Sequence, residues 1–120
     1  MPYFRVSVAK KLSSAEIDEI THGLGIAIEQ VPGKLRHMLM LNLEDGQRMS
    51  MGGIAQENFV FAELHYCGSH THKVKNNLTR AVFEVFSKTL GTKPNEASLT
   101  IVEHRNWGYL GVLNDPYYSD

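Results

Sequence analysis

Thiol chemistry is almost absent from this chain: its one cysteine, Cys67, excludes an internal disulfide and a cysteine-based metal cluster, and fits a reducing compartment. No apolar run approaches the length of a membrane span, and no basic start, apolar centre and small-residue cleavage site mark a signal peptide. The expected compartment is the cytoplasm, with no membrane partner. An excess of one charge is missing too. Twelve Lys and Arg against 13 Asp and Glu leave a net charge of −1, which argues against a nucleic-acid partner, since neutralising phosphates takes a basic face. What remains, 42% hydrophobic and 21% charged residues in a length of 120, describes one ordinary globular domain over 1–120. A domain of that size has a real core but gains from covering its sheet faces by oligomerisation.

The periodicity divides the chain cleanly. Tyr3 to Ala9 reads as a strand, with Phe4, Val6 and Val8 alternating against Tyr3, Arg5 and Ser7. Ser13 and Glu16 have the spacing of a capping box and open a helix whose stripe is Ile17, Ile20, Leu24, Ala27, Ile28 and Val31. Gly23 and Gly25 inside it are read as allowing close approach to the sheet. Pro32-Gly33 ends the helix. His37 to Leu43 reads as a strand apolar on both faces, Arg48 to Met51 as a short extra strand, and Asn58 to Tyr66 as another strand covered on both sides. A second helix runs from roughly His70 to Leu90, with a stripe of Val74, Leu78, Ala81, Val82, Val85, Phe86 and Leu90, and stops at Gly91. Ala97 to Glu103 is a further strand. Trp107 to Val112 reads as a short strand or hairpin, and Asp115-Pro116-Tyr117-Tyr118 as a surface finish.

Strand, helix, strand therefore occurs twice, in halves of about 1–53 and 54–120, and each helix leads through a proline turn into a strand. The fold class that follows is α+β: a two-layer sandwich in which a duplicated right-handed β-α-β gives a four-stranded mixed sheet with two helices on one face, plus short edge strands. Two helices cover only one face, and the other, read as apolar, is expected to meet other subunits.

Pro2 is the candidate for chemistry. Removal of Met1 is expected because the residue behind it is small, and it would leave a prolyl secondary amine as the first residue of a sheet. An α-amino group titrates at about 7.7–8.0, and burial disfavours its charged form, so such an amine can act as a base near neutral pH. While Met1 is attached, the Pro2 nitrogen is a tertiary amide and accepts no proton.

With Pro2 opening the first strand, Gly33-Lys34 after the first helix, Met51-Gly52-Gly53, Phe61-Ala62-Glu63-Leu64-His65 leading to Gly68, Pro94 before the last long strand and a glycine-containing tail, the chain resembles the tautomerase superfamily. Within it the likeness is greatest to the macrophage migration inhibitory factor group. The resemblance covers nearly the whole chain. It implies a homotrimer whose sheets enclose a central barrel, with active sites between neighbouring subunits, and a cofactor-independent keto-enol tautomerase or isomerase acting on a small 2-oxo (enol) carboxylic acid. Pro2 would be the general base, and Lys34 the cation holding the carboxylate. Other reactions of the superfamily, 5-carboxymethyl-2-hydroxymuconate isomerisation and decarboxylation, remain alternatives, as does a non-catalytic binding or signalling protein. The turn after His65 carries Tyr66, Cys67 and Ser69 rather than arginines, which counts against a hydratase-type dehalogenase.

The resemblance also implies that the backbone at Cys67 faces the proline, with the thiol itself a small semi-buried group. Ser98 and Thr100 fall where animal cytokines carry a pocket tyrosine and asparagine, so the aromatic donor is missing and bulky aromatic enols are in doubt as substrates. Asn106 and Trp107 are candidates for the pocket rim, Trp107 equally for a trimer contact. His65, His70 and His72 offer no secure third ligand, so surface histidines are expected there and no metal; Arg36, Arg48 and Arg105 are cations without an assigned role.

Overall fold

The computed structural model describes residues 1–115. The expected surface finish at Pro116, Tyr117 and Tyr118 lies outside the described residues. Strand β1 (Tyr3–Val8) leads to helix α1 (Ser14–Ile28), then to β2 (Met40–Glu44), the short β3 (Met49–Met51) and β4 (Ile54–Gln56), and the long β5 (Val60–Cys67). Helix α2 (His72–Leu90) follows, then β6 (Ala97–His104) and the short β7 (Trp107–Tyr109) and β8 (Val112–Asn114).

The main sheet has the order β2-β1-β5-β6. Strand β1 pairs parallel with β2 and β5 parallel with β6, while β1 and β5 meet antiparallel, so two β-α-β halves are joined along their first strands. The remaining short strands form two separate hairpins, β3 with β4 and β7 with β8. Among the described residues no helix is long and apolar enough to cross a membrane.

Local chemistry fixes both helices. The Ser13 hydroxyl accepts from the Glu16 N–H and the Glu16 carboxylate accepts from the Ser13 N–H, the reciprocal capping box read from the sequence. Thr71 caps α2 through the Val74 N–H, and Gly91 ends that helix in the left-handed conformation, with φ of 67°.

The core lies between the sheet and the helices. Phe4, Val6 and Val8 of β1 and Val60, Ala62, Leu64 and Tyr66 of β5 point into it, against Ile20, Leu24 and Ile28 of α1 and Leu78, Val82 and Phe86 of α2. Ile17, read as part of the buried stripe, is 39% exposed. The glycines of α1 serve a different neighbour from the one expected: Gly23 approaches Val85 of α2 and Gly25 approaches Arg36, so neither makes room for the sheet.

The second sheet face corrects the expectation of an apolar surface. It carries Arg5, Ser7, Asn42, Glu44, Glu63, His65, Thr100 and His104, joined by ion pairs from Arg5 to Glu44 (3.1 Å) and to Glu63 (3.9 Å). The reason is local. The apolar run at 37–43 is not one strand, because Arg36–Met38 forms a 3₁₀ turn and β2 begins only at Met40, which removes Met38 and Leu39 from the sheet. In β5 the outward positions are Phe61, Glu63, His65 and Cys67, and Glu63 and His65 break the apolar character of that face.

Candidate active site

Three of the residues singled out in the sequence converge at one end of the sheet. Pro2 is buried, and its carbonyl accepts the Met40 N–H at 2.9 Å, which extends the β1–β2 ladder to the amino terminus. Such tethering counters the disorder usual at a chain end. Lys34 arrives from the α1–β2 connection through a tight turn: the Lys34 N–H donates to the Val31 carbonyl at 3.0 Å across Pro32 and Gly33. Proline second and a glycine with φ of 81° third are what a type II turn requires. From that turn the Lys34 ammonium reaches the Cys67 carbonyl at 3.4 Å.

The amino terminus feels this neighbourhood. Burial, then the Lys34 ammonium, push the Met1 amine below its ordinary value of 8.0, while Cys67 pulls weakly the other way. The end of the chain, the cation and the end of β5 thus share one environment. Cys67 enters through its backbone; its thiol, which is half-buried, lies 3.7 Å from the Arg105 carbonyl.

Trp107 stands edge-on to the His104 ring at 5.5 Å, and His104 Nε2 in turn meets His65 Nδ1 at 2.9 Å. This places Trp107 at the same sheet end as Cys67, which pairs with His104. Asn106 is exposed in the connection between β6 and β7. Thr100 pairs with Glu63, two residues before His65, and Ser98 does not join the group within one chain. Tyr3, next to Pro2, pairs with His65, and His65 with Val102, whereas Ser98 sits four residues away along β6, about 13 Å at the rise of a strand. Ser98 instead lines a cleft of about 290 Å³ with Met49, Met51 and Phe61. Arg48 borders another cleft, of about 850 Å³, beneath the β3–β4 hairpin. Arg36 is occupied by Glu29 at 2.6 Å and Arg105 by Asp115 at 3.5 Å. No group of three or more His, Cys, Asp or Glu side chains suited to a metal ion occurs among the described residues.

Tyr66 and Glu103 were not marked as site residues by the sequence reading. Tyr66 is fully buried; its hydroxyl donates to Glu103 Oε2 at 2.8 Å, and its ring faces the Lys34 ammonium, 5.5 Å from the centroid. Glu103 also accepts the His70 N–H at 2.8 Å and Lys75 at 3.3 Å. Burial raises the Glu103 carboxyl, but the hydrogen bonds from Tyr66, His70 and Lys75 outweigh it and leave the carboxyl below its ordinary 4.5. Desolvation first, and the neighbouring carboxylate second, drive the Tyr66 phenol upward. A signal existed in the alternation: Ala97, Leu99, Ile101 and Glu103 share the inward parity of β6, and a carboxylate at an inward position needs partners.

No protein-family model and no curated protein matches the sequence. Solved structures do match in shape. MIF2 of Leishmania major superposes with a TM-score of 0.84 at 15% identity, over 95% of this chain and 97% of that one. A protein crystallised after inactivation by 2-oxo-3-pentynoate gives a TM-score of 0.82 at 17% identity, over 91% and 92% of the two chains. A fused 4-OT, described as a symmetric trimer, gives 0.76 at 14% identity over 85% of each. The fold is the one these structures share, the MIF-like fold that the sequence resemblance implied.

Proposed function

We propose that this chain is a cofactor-independent tautomerase of small 2-oxo (enol) carboxylic acids, with the Pro2 amine as general base once Met1 has been removed and Lys34 as the carboxylate anchor. The observation that carries this reading is the meeting of the amino terminus with Lys34, whose ammonium reaches the Cys67 carbonyl beside it: burial and that ammonium together lower the affinity of the Met1 amine, one residue before Pro2, for a proton. An amine in such a setting gives up its proton more readily than a free α-amino group, which is the direction a general base needs. In the proposed step the Pro2 nitrogen takes the enol hydroxyl proton, the oxygen's electrons close the carbonyl, and the former double-bond pair takes a proton back at carbon from the prolyl ammonium. Lys34 holds the substrate carboxylate and offsets negative charge on the enolate.

Support of a second kind comes from the fold, which is shared with a protein that a 2-oxo acid inactivates and with a trimeric 4-OT. We take the working form to be a homotrimer in which Ser98 and Thr100 of a neighbouring copy face the Pro2 end of this one. Exposed apolar tips on both hairpins, Met51 and Ile54 on one and Leu110 and Leu113 on the other, suit contacts between copies.

The test pairs the intact mass of the purified protein with an ultraviolet assay of 2-hydroxymuconate and phenylenolpyruvate ketonisation. A mass lacking Met1, turnover, and a loss of about a hundredfold in Pro2→Ala are expected. Undiminished turnover in Pro2→Ala would remove the proline-base mechanism. Absence of turnover in protein lacking Met1, across both acids, would favour the second reading, a binding protein on the same trimer, for which the replacement of a pocket tyrosine and asparagine by Ser98 and Thr100 speaks.

A further inference from the structure

We infer that Tyr66 is a positioning residue: pinned through its hydroxyl by Glu103, its ring face holds the Lys34 ammonium at the amino-terminal site. The inference rests on the reading of Lys34 as the anchor and adds what keeps that anchor in place. An ammonium has three donors on a flexible four-carbon stem, and one long bond to the Cys67 carbonyl at 3.4 Å does not fix it. Among the described residues no carboxylate pairs with Lys34 within 4.0 Å, although the other cations near this end of the sheet, Lys75 and Arg105, each have one. The remaining contact is the Tyr66 ring, whose centroid at 5.5 Å lies inside the range in which a cation is drawn to the π face.

This arrangement holds the charge without neutralising it. A carbonyl and a π face attract an ammonium through a dipole and a quadrupole, so its full charge stays available to an incoming carboxylate. A carboxylate in the same place would compete with the ligand. Glu103 lies one residue further back, engaged by Tyr66, Lys75 and the His70 N–H at the start of α2. Tyr66 thus separates the partly buried Glu103 carboxylate from the site cation.

Two further features keep the ring in one orientation. Tyr66 is fully buried on the inward parity of β5, so the backbone register sets its direction. The His70 ring meets it edge-on at 5.4 Å, and the hydroxyl bond to Glu103 fixes the far end.

The experiment uses full-length protein with ¹³C-labelled lysine, the Lys34 signals being identified by their loss in Lys34→Arg, and compares wild type with Tyr66→Leu and Tyr66→Phe. Wild type should show the Lys34 ε-protons shifted upfield by the ring. Tyr66→Phe should keep that shift, and Tyr66→Leu should lose it. In the same three proteins the KM for 2-hydroxymuconate should rise about five- to tenfold in Tyr66→Leu with kcat within about twofold, and Tyr66→Phe should restore it.

Unshifted Lys34 ε-protons in wild type would overturn the inference whatever the activity, and so would a shift that survives in Tyr66→Leu. An unchanged KM in Tyr66→Leu, beside a raised KM in Lys34→Met, would overturn it as well. An unchanged KM in Lys34→Met sinks the anchor role of Lys34 instead, and the spectra still decide whether Tyr66 holds the ammonium. Should Tyr66→Leu fail to fold, the wild-type and Tyr66→Phe spectra carry the decision.

Discussion

Gly23 of α1 lies over Val85 of α2 with no room for a side chain: a Cβ at Gly23 would come within 2.9 Å of one Val85 methyl and 3.0 Å of the other. Val85 is branched at Cβ and stiff about χ1, so it cannot swing aside. Alanine at this position gains about 1 kcal/mol of helix propensity, yet overpacking a tight contact costs about 1–3 kcal/mol. Gly23→Ala should therefore lower unfolding stability by about 1 kcal/mol in urea, and adding Val85→Ala should remove the clash and shrink the effect. A Gly23→Ala protein as stable as wild type would mean the helices part without loss.

The terminal amine supplies a second test. With Met1 attached, reductive methylation with ¹³C-formaldehyde allows its titration to be followed by NMR, and the amine should titrate below 8.0. Lys34→Met should move the value upward but not all the way, because burial is the larger cause. A titration unaffected by Lys34→Met would mean that the ammonium does not reach the amino terminus.

Acid should weaken the protein through two carboxylates. Glu103 is held below 4.5, burial being outweighed by its hydrogen bonds, and Glu29 is held at about 2, chiefly by the Arg36 guanidinium and then by the Arg36 N–H. The folded state binds the proton more weakly than the unfolded chain in both cases. Their contribution is therefore complete above about pH 5 and is lost as pH falls through the folded values, near pH 2 for Glu29. Urea unfolding measured between pH 7 and pH 2 should show that decline, with a shallower slope in Glu29→Gln and in Glu103→Gln. Identical slopes in wild type and variants would place the acid sensitivity elsewhere.

The imidazoles of His65 and His104 meet at 2.9 Å, so one nitrogen donates and the other accepts, and the contact holds a single proton. Trp107, the chain's single tryptophan, stands edge-on to His104 and reports on that ring. His104→Ala should remove the contact and shift the Trp107 emission maximum, while the far-ultraviolet circular dichroism stays constant. An unchanged emission maximum in His104→Ala would mean that Trp107 does not rest on His104.

Much of the architecture was legible because it is written in short-range patterns. Ser13 and Glu16 form their capping box, Gly91 takes the left-handed cap, and the alternation of Phe4, Val6 and Val8 sets the buried face of β1. Of the candidate site residues, the structure brings Lys34 to the Cys67 carbonyl at the end of the sheet where Pro2 lies, and places Ser98 four residues along β6 from the partner of His65. The open sheet face was misread because 37–43 has the composition of a buried strand while a 3₁₀ turn takes its first residues out of the sheet. Composition does not register a change of backbone path.

By itself the sequence determined the two helices with their caps, the alternation of the first strand and that a proline opens it, because caps, turns and periodicity act over a few residues. Only the tertiary structure decided who meets whom across the sheet. The parallel register of β5 and β6 puts Tyr66 opposite Glu103, 37 residues away, and the type II turn at Pro32-Gly33 brings Lys34 to the Cys67 carbonyl, 33 residues away. Those contacts depend on strand order and register, which follow from packing the whole core at once, and a local pattern carries no record of them.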